Sequence, residues 1–199
     1  LWGEHVSSTF TNGDFERAKG CGQLYFGKTR NITCGVHGDD FLSVANEKDS
    51  SWMDEFMGKS FDAKKKCVIG PGHDTVARYL HRYIVYRPGW GYEYMSDPKH
   101  VQLAAEALGL TKANAVPTPE VRDKPTRGDA LDLLPRDQAA IYCSVTGRVI
   151  YLSVDRYDIM HAARGLAQDL AKPTEYSMMR LKRVVKYLMG TVTLALLYP

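Results

Sequence analysis

The chain lacks any apolar run near the roughly 20 residues that a membrane-spanning helix requires, so no helical span is expected. Its first residues lack the charged-then-apolar pattern of a secretory leader, and Leu1 rather than Met stands first, so a fragment of a longer chain is expected. Cysteine is scarce: Cys21, Cys34, Cys67 and Cys143 are scattered without metal-ligand spacing. That argues against a zinc module or a disulfide framework, and for reduced, mostly buried thiols in an intracellular protein. No internal repeat or low-complexity tract is present. Charge of one sign is barely in excess, with 26 basic against 23 acidic residues, so its distribution matters more than its sum. A 199-residue chain that is 44% hydrophobic and 25% charged can bury a real core, in one medium domain or two small ones.

What is there centres on Ile32-Thr-Cys-Gly-Val-His-Gly-Asp-Asp-Phe-Leu-Ser-Val-Ala45. Two short apolar runs, Ile32 to Val36 and Phe41 to Ala45, flank His37-Gly38-Asp39-Asp40, which reads as a β-hairpin with adjacent carboxylates at its tip. Side chains alternate along a strand, so Asp39 and Asp40 cannot both face one way in a regular strand. An Asp-Asp pair in a turn is commonly just solvated. Apolar strands on both sides instead imply a buried hairpin, where carboxylates need a cation. Mg²⁺, held by one or two carboxylates and substrate phosphates, would meet that need, as in polymerase palms.

Before the hairpin, Leu1 to Asn31 is mixed: Trp2, Phe10 and Phe15 are expected to pack against it, and Gln23 to Phe26 is a strand candidate ahead of Gly27. After it, Asn46 to Ser50 holds Asp and Ser suited to capping a helix whose apolar face is Trp52, Met53, Phe56 and Met57, ending near Gly58. Lys64, Lys65 and Lys66 follow in a loop, solvated or touching a phosphate. Val76 to Tyr86 and Tyr92 to Met95, joined by Pro88-Gly-Trp-Gly91, read as a second hairpin rich in basic and aromatic residues. Asp97-Pro98 opens a helix with Val101, Ala104, Ala105 and Leu108 inside, ending at Gly109.

Residues 117–135, with four prolines, read as a linker between modules 1–116 and 136–199. Beyond it the periodicity predicts three helices. The first runs from about Arg136 to Val154 on Ile141, Val145, Val149 and Leu152. The second is capped by Asp158, and the third opens at Pro173-Thr174 with Tyr176, Met179, Val184 and Leu188 on one side. The last is basic: Lys172, Arg180, Lys182, Arg183 and Lys186 stand against Glu175. Such a stripe is most often a solvated face; beside a palm it reads as a track for a nucleic-acid backbone.

In this order the motifs resemble the reverse transcriptase of copia-type LTR retrotransposons, from about Gly35 to Thr191. His37-Gly38-Asp39-Asp40 stands where that family has Tyr-x-Asp-Asp. Tyr79-Leu80-His81-Arg82 stands at its primer-grip strand. Asp97-Pro-Lys-His-Val101 and Pro117-Thr-Pro119 match the following helix and Thr-Pro element. Tyr142 to Gly147, Tyr151-Leu152 and Arg156-Tyr-Asp-Ile159 match its next signature, and Pro173-Thr174, Leu181 to Val184 and Tyr187 to Thr191 its closing segment.

The resemblance implies an α+β fold, a partial polymerase palm of β-hairpins plus helices followed by a small helical thumb-like bundle. It implies nucleotidyl transfer, in which a primer 3′-hydroxyl attacks the α-phosphate of a dNTP with two Mg²⁺. Asp39 and Asp40 would be the catalytic metal ligands, Asp39 the stronger. His37, Gly38, Leu80, His81, Arg82, Arg180, Lys182, Arg183 and Lys186 would contact primer or template. The partners implied are an RNA or DNA template–primer, dNTPs and the fingers, ribonuclease H and integrase segments that this chain does not contain. No membrane is implied; the setting would be intracellular, a cytoplasmic virus-like particle or the nucleus.

Departures carry their own expectations. His37 replaces the usual Tyr, Cys143 an Arg and Tyr157 a Pro. The third metal-binding Asp has no match within Leu1 to Asn31, where Asp14 lies in a Gly-Asp turn, so it is expected from outside the chain and polymerisation by the chain alone is not expected. Three other readings stay open. One is a non-catalytic nucleic-acid-binding remnant of a decayed transposon copy, another an RNA-dependent RNA polymerase, which often writes this hairpin Gly-Asp-Asp, and the third a domain without retained activity.

Overall fold

A computed structural model describes residues 1–120 and 132–199. The fold is α+β: the described residues form six α-helices and two four-stranded antiparallel sheets. The chain divides into two compact units, Leu1–Cys67 and Val68–Pro199. Among the described residues no helix is long and apolar enough to cross a membrane.

In the first unit, helix α1 (Trp2–Asn12) and helix α2 (Glu47–Ser60) pack on a meander of β1 (Phe15–Arg17), β2 (Leu24–Gly27), β3 (Ile32–His37) and β4 (Asp40–Ala45). Val6 and Phe10, one turn apart on α1, are both buried, which is the minimum stripe an amphipathic helix needs. Phe10 is fully buried among aromatic rings, its centroid 4.6 Å from Tyr25, 5.0 Å from Phe15 and 5.7 Å from Phe56. From β3, Ile32 and Cys34 enter the same core, two residues apart as strand alternation requires. Burial pushes the Cys34 thiol up to about 12. The other cysteines, Cys21, Cys67 and Cys143, are exposed, contrary to the expectation of mostly buried thiols. Asn46 caps α2: its Oδ1 accepts from the Asp49 backbone at 2.9 Å and its Nδ2 donates to Asp49 Oδ2 at 2.7 Å.

The second unit pairs β5 (Val76–Tyr79), β6 (Arg82–Arg87) and β7 (Gly91–Ser96) in order, with the late strand β8 (Leu196–Tyr198) returning beside β7. One strand was expected across Val76 to Tyr86; the structure breaks it at Leu80-His81 into two strands of a hairpin. Helices α3 (Lys99–Ala107), α4 (Arg136–Ser153), α5 (Met160–Gln168) and α6 (Glu175–Gly190) share one core. Val101, Ala104 and Ala105 of α3 meet Val145, Val149 and Leu152 of α4, Leu166 of α5 and Leu181, Val184 and Leu188 of α6 there. Thr174 and Ser177 cap α6 reciprocally, Thr174 Oγ1 accepting from the Ser177 backbone at 3.3 Å and Ser177 Oγ from the Thr174 backbone at 3.2 Å.

The expected linker 117–135 lies partly outside the described residues, at 121–131. The structure's own division falls earlier, at Cys67/Val68, because α3 buries its apolar face against the later helices rather than against the first hairpin.

Candidate active site and nucleic-acid interface

The Asp-Asp hairpin of the first unit is real and tight. Its register pairs Val36 with Phe41 and His37 with Asp40, leaving Gly38 and Asp39 as a two-residue loop. Gly38 has φ +62°, in a position that a two-residue hairpin loop of the II′ kind reserves for glycine. Because opposed residues share a face, Val36 and Phe41 point to the core and His37 and Asp40 to the outer face of the sheet.

Two contacts from distant sequence fix this tip. The Trp2 indole Nε1 donates to Gly38 O at 2.7 Å, so α1 holds the turn from the side. Lys66 Nζ donates to Asp40 Oδ1 at 3.0 Å, across side chains that are 77% and 38% exposed. Asp39 is exposed. The expectation of buried carboxylates is thereby corrected: only the inner face of the hairpin is buried, and the Asp pair lies at its solvent end. An exposed Lys–Asp pair of this kind contributes at most about 1 kcal/mol and is easily exchanged. Asp39 and Asp40 suit Mg²⁺ in kind, as hard oxygen donors, but not in number. Among the described residues no group of three or more His, Cys, Asp or Glu side chains could hold a metal ion. Asp14 is a turn residue at φ +66°, accepting from Thr29 Oγ1 at 2.7 Å, and supplies no ligand to the hairpin.

In the second unit the predicted primer-contacting residues Leu80, His81 and Arg82 do gather, at the β5–β6 turn. Leu80 and His81 both lie in the left-handed region, at φ +47° and +59°, where non-glycine residues are strained. Beside them, Arg78 Nη2 meets His81 Nδ1 at 3.2 Å and donates to Asp97 Oδ2 at 2.7 Å. Asp97 Oδ1 in turn accepts from the Lys99 backbone at 2.9 Å, the cap that the sequence predicted for this helix. Arg82 is a structural anchor: it donates to Asp155 at 2.9 Å, to Tyr151 Oη at 3.0 Å and to Leu80 O at 2.9 Å. His100 packs its ring 4.8 Å from that of Tyr151, and its Nδ1 is buried without a hydrogen-bond partner. Desolvation, together with Arg148, His81 and Arg82, lowers its pKa against the opposing pull of Asp97.

No protein-family model, curated protein or solved structure matches the chain. The family resemblance therefore rests on the motif residues themselves.

The basic stripe of α6 is divided by the structure. Lys182 is exposed and Lys186 half-buried. Arg180 is held by Glu120 at 2.8 Å and lies 3.7 Å from Asp169, and Arg183 Nη2 donates to Thr118 Oγ1 at 2.8 Å. Gly165 of α5 makes room for this: a Cβ there would stand 2.3 Å from Arg180 Nη2. The buried face of α6 keeps the predicted Val184 and Leu188 and adds Met178, Leu181 and Val185, while the predicted Met179 is exposed. Trp2, expected with Phe10 and Phe15 to pack against the hairpin, does reach its turn; Glu120 was missed, and Lys66 was named only as part of a lysine run. No local pattern marks the last two, which lie 60 and 26 residues from the groups they hold.

Proposed function

We propose that the chain is a palm-and-thumb portion of a retrotransposon reverse transcriptase, carrying part of the site for Mg²⁺-dependent nucleotidyl transfer and a surface for template–primer. The observation that carries this reading is the hairpin itself. A two-residue loop with glycine at its strained position presents Asp39 at the turn and Asp40 beside His37 on the solvent face of a sheet. That placement leaves both carboxylates within reach of a substrate that approaches from outside. When bound, Mg²⁺ would neutralise phosphate charge there, with Asp39 and Asp40 as its protein ligands and a further Asp supplied by a longer chain. His37 would border the primer terminus, and the strained turn at Leu80-His81, a feature that tends to mark functional sites, would position the primer strand. Lys182 and Lys186 would bind the duplex backbone, in an intracellular setting.

The runner-up is a nucleic-acid-binding remnant without catalysis. Asp40 is already neutralised by Lys66, which favours it.

Primer extension on an RNA template with dNTPs and Mg²⁺ separates them. The chain is assayed alone and joined to an upstream palm segment that brings the missing Asp, each with an Asp39→Asn control. Incorporation only in the joined form, lost in the control, supports the polymerase. Salt-dependent template binding without incorporation in either form supports the remnant.

A further inference from the structure

We propose that the cationic face of α6 is a phosphate site held shut by residues 118–120 of the same chain, with Glu120 standing where a nucleic-acid phosphate would sit. The inference rests on the nucleic-acid reading above and names how that surface is regulated.

Glu120 is clasped at both oxygens: Oε1 accepts from Arg180 Nη2 at 2.8 Å, and Oε2 meets His161 Nδ1 at 2.7 Å. Two residues earlier, Thr118 Oγ1 accepts from Arg183 Nη2 at 2.8 Å. The same guanidinium has a second donor, Nε, which is buried without any hydrogen-bond partner. A hydroxyl satisfies one N–H of an arginine fork, whereas a phosphate offers two oxygens and fits the fork in bidentate fashion. Arg183 is thus incompletely served by its present partner, in the manner a phosphate would complete.

Charge points the same way. Arg180 faces Glu120 and Asp169, and Arg183 lies on Thr118 two residues before Glu120, so two guanidiniums stand against two carboxylates. Displacing Glu120 leaves an uncompensated cation on a helix that also carries Lys182 and Lys186. A carboxylate–arginine pair and a phosphate–arginine pair are alike in strength, so exchange is close to balanced. Counterion release from a polyanion then decides it, which a free carboxylate cannot match.

The test is fluorescence anisotropy of a labelled oligothymidylate with the full chain over a range of salt. Glu120→Ala is expected to bind about fivefold tighter than wild type. Its log–log salt dependence should steepen by about 0.7 for each further phosphate that the freed arginines neutralise. The tighter binding should vanish when Arg180→Gln and Arg183→Gln are added. Glu120→Gln, which keeps the shape and removes the charge, must move affinity in the same direction, and thermal melts check that each variant is folded. Wild-type binding that Glu120→Ala leaves unchanged or weakens overturns the inference alone, as does tighter binding that survives loss of both arginines. Absence of binding by every protein overturns the nucleic-acid reading and takes the inference with it.

Discussion

Arg82 Nε donates to Asp155 Oδ2 at 2.9 Å, tying the first residue of β6 to the turn after α4. The two side chains are only 16% and 6% exposed, and the Arg82 guanidinium also lies 5.0 Å over the Tyr151 ring. Removing one member of such a pair leaves the other charged and desolvated. Arg82→Ala is therefore expected to destabilise the second unit by about 3 to 5 kcal/mol in urea unfolding. Arg82→Met with Asp155→Leu should recover most of that loss, since neither charge is then stranded. An Arg82→Ala effect below about 1 kcal/mol, the range of exposed pairs, would show that water reaches Asp155 freely.

Much of the local structure was legible because it is written in neighbouring residues. Asp97 and Thr174 read as helix starts, and their side chains do accept the backbone N–H groups there; in Asn46–Ser50 the cap is Asn46 rather than the expected Asp or Ser, and Asp158 does not cap α5. The Asp-Asp hairpin was legible from two apolar runs around Gly38. Helix α1 was not, because Val6 and Phe10 are its only buried residues among serine, threonine and glycine. The β5–β6 turn was not, because Leu80-His81 is the reverse of the Asn-Gly chemistry that such turns normally use. The candidate site divides along the same line. The carboxylates are adjacent in sequence, but Arg82 meets Asp155 across 73 residues and Arg180 meets Glu120 across 60. Nothing in a basic stripe says which arginines already have partners.

Acid should weaken the second unit through Asp158. Its carboxylate accepts from Arg156 Nε at 2.9 Å and Nη2 at 2.7 Å, and from Tyr187 Oη at 2.8 Å. Desolvation raises its pKa, but the Arg156 and Tyr187 hydrogen bonds outweigh that and hold it below the ordinary 3.8. A depressed folded-state pKa stabilises above the unfolded value and is lost as pH falls through the folded one. Glu120 behaves likewise: desolvation is outweighed by Arg180 and His161, which hold it below 4.5. The urea midpoint should fall between about pH 5 and about pH 3, and Asp158→Asn should flatten that fall while lowering the midpoint at neutral pH. An Asp158→Asn profile parallel to wild type would rule Asp158 out as a source.

The turn at Leu80-His81 offers the sharpest separation of stability from function. Two consecutive non-glycine residues in the left-handed region each carry strain, which Asn-Gly would not. Leu80→Asn with His81→Gly is expected to raise stability by about 1 to 2 kcal/mol in urea unfolding, with Arg82 and its anchor untouched. If the turn positions a primer strand, the same change removes His81 from beside Arg78 and should weaken template–primer binding. Strain retained at a cost in stability, and relieved only with loss of binding, is the pattern of a functional turn. A variant that is more stable and binds as before would assign the strain to the hairpin's history rather than to its use, and would remove Leu80 and His81 from the interface. A variant that is no more stable would show that the sheet, through the Arg78 and Arg82 contacts on either side, sets the turn's conformation at no net expense.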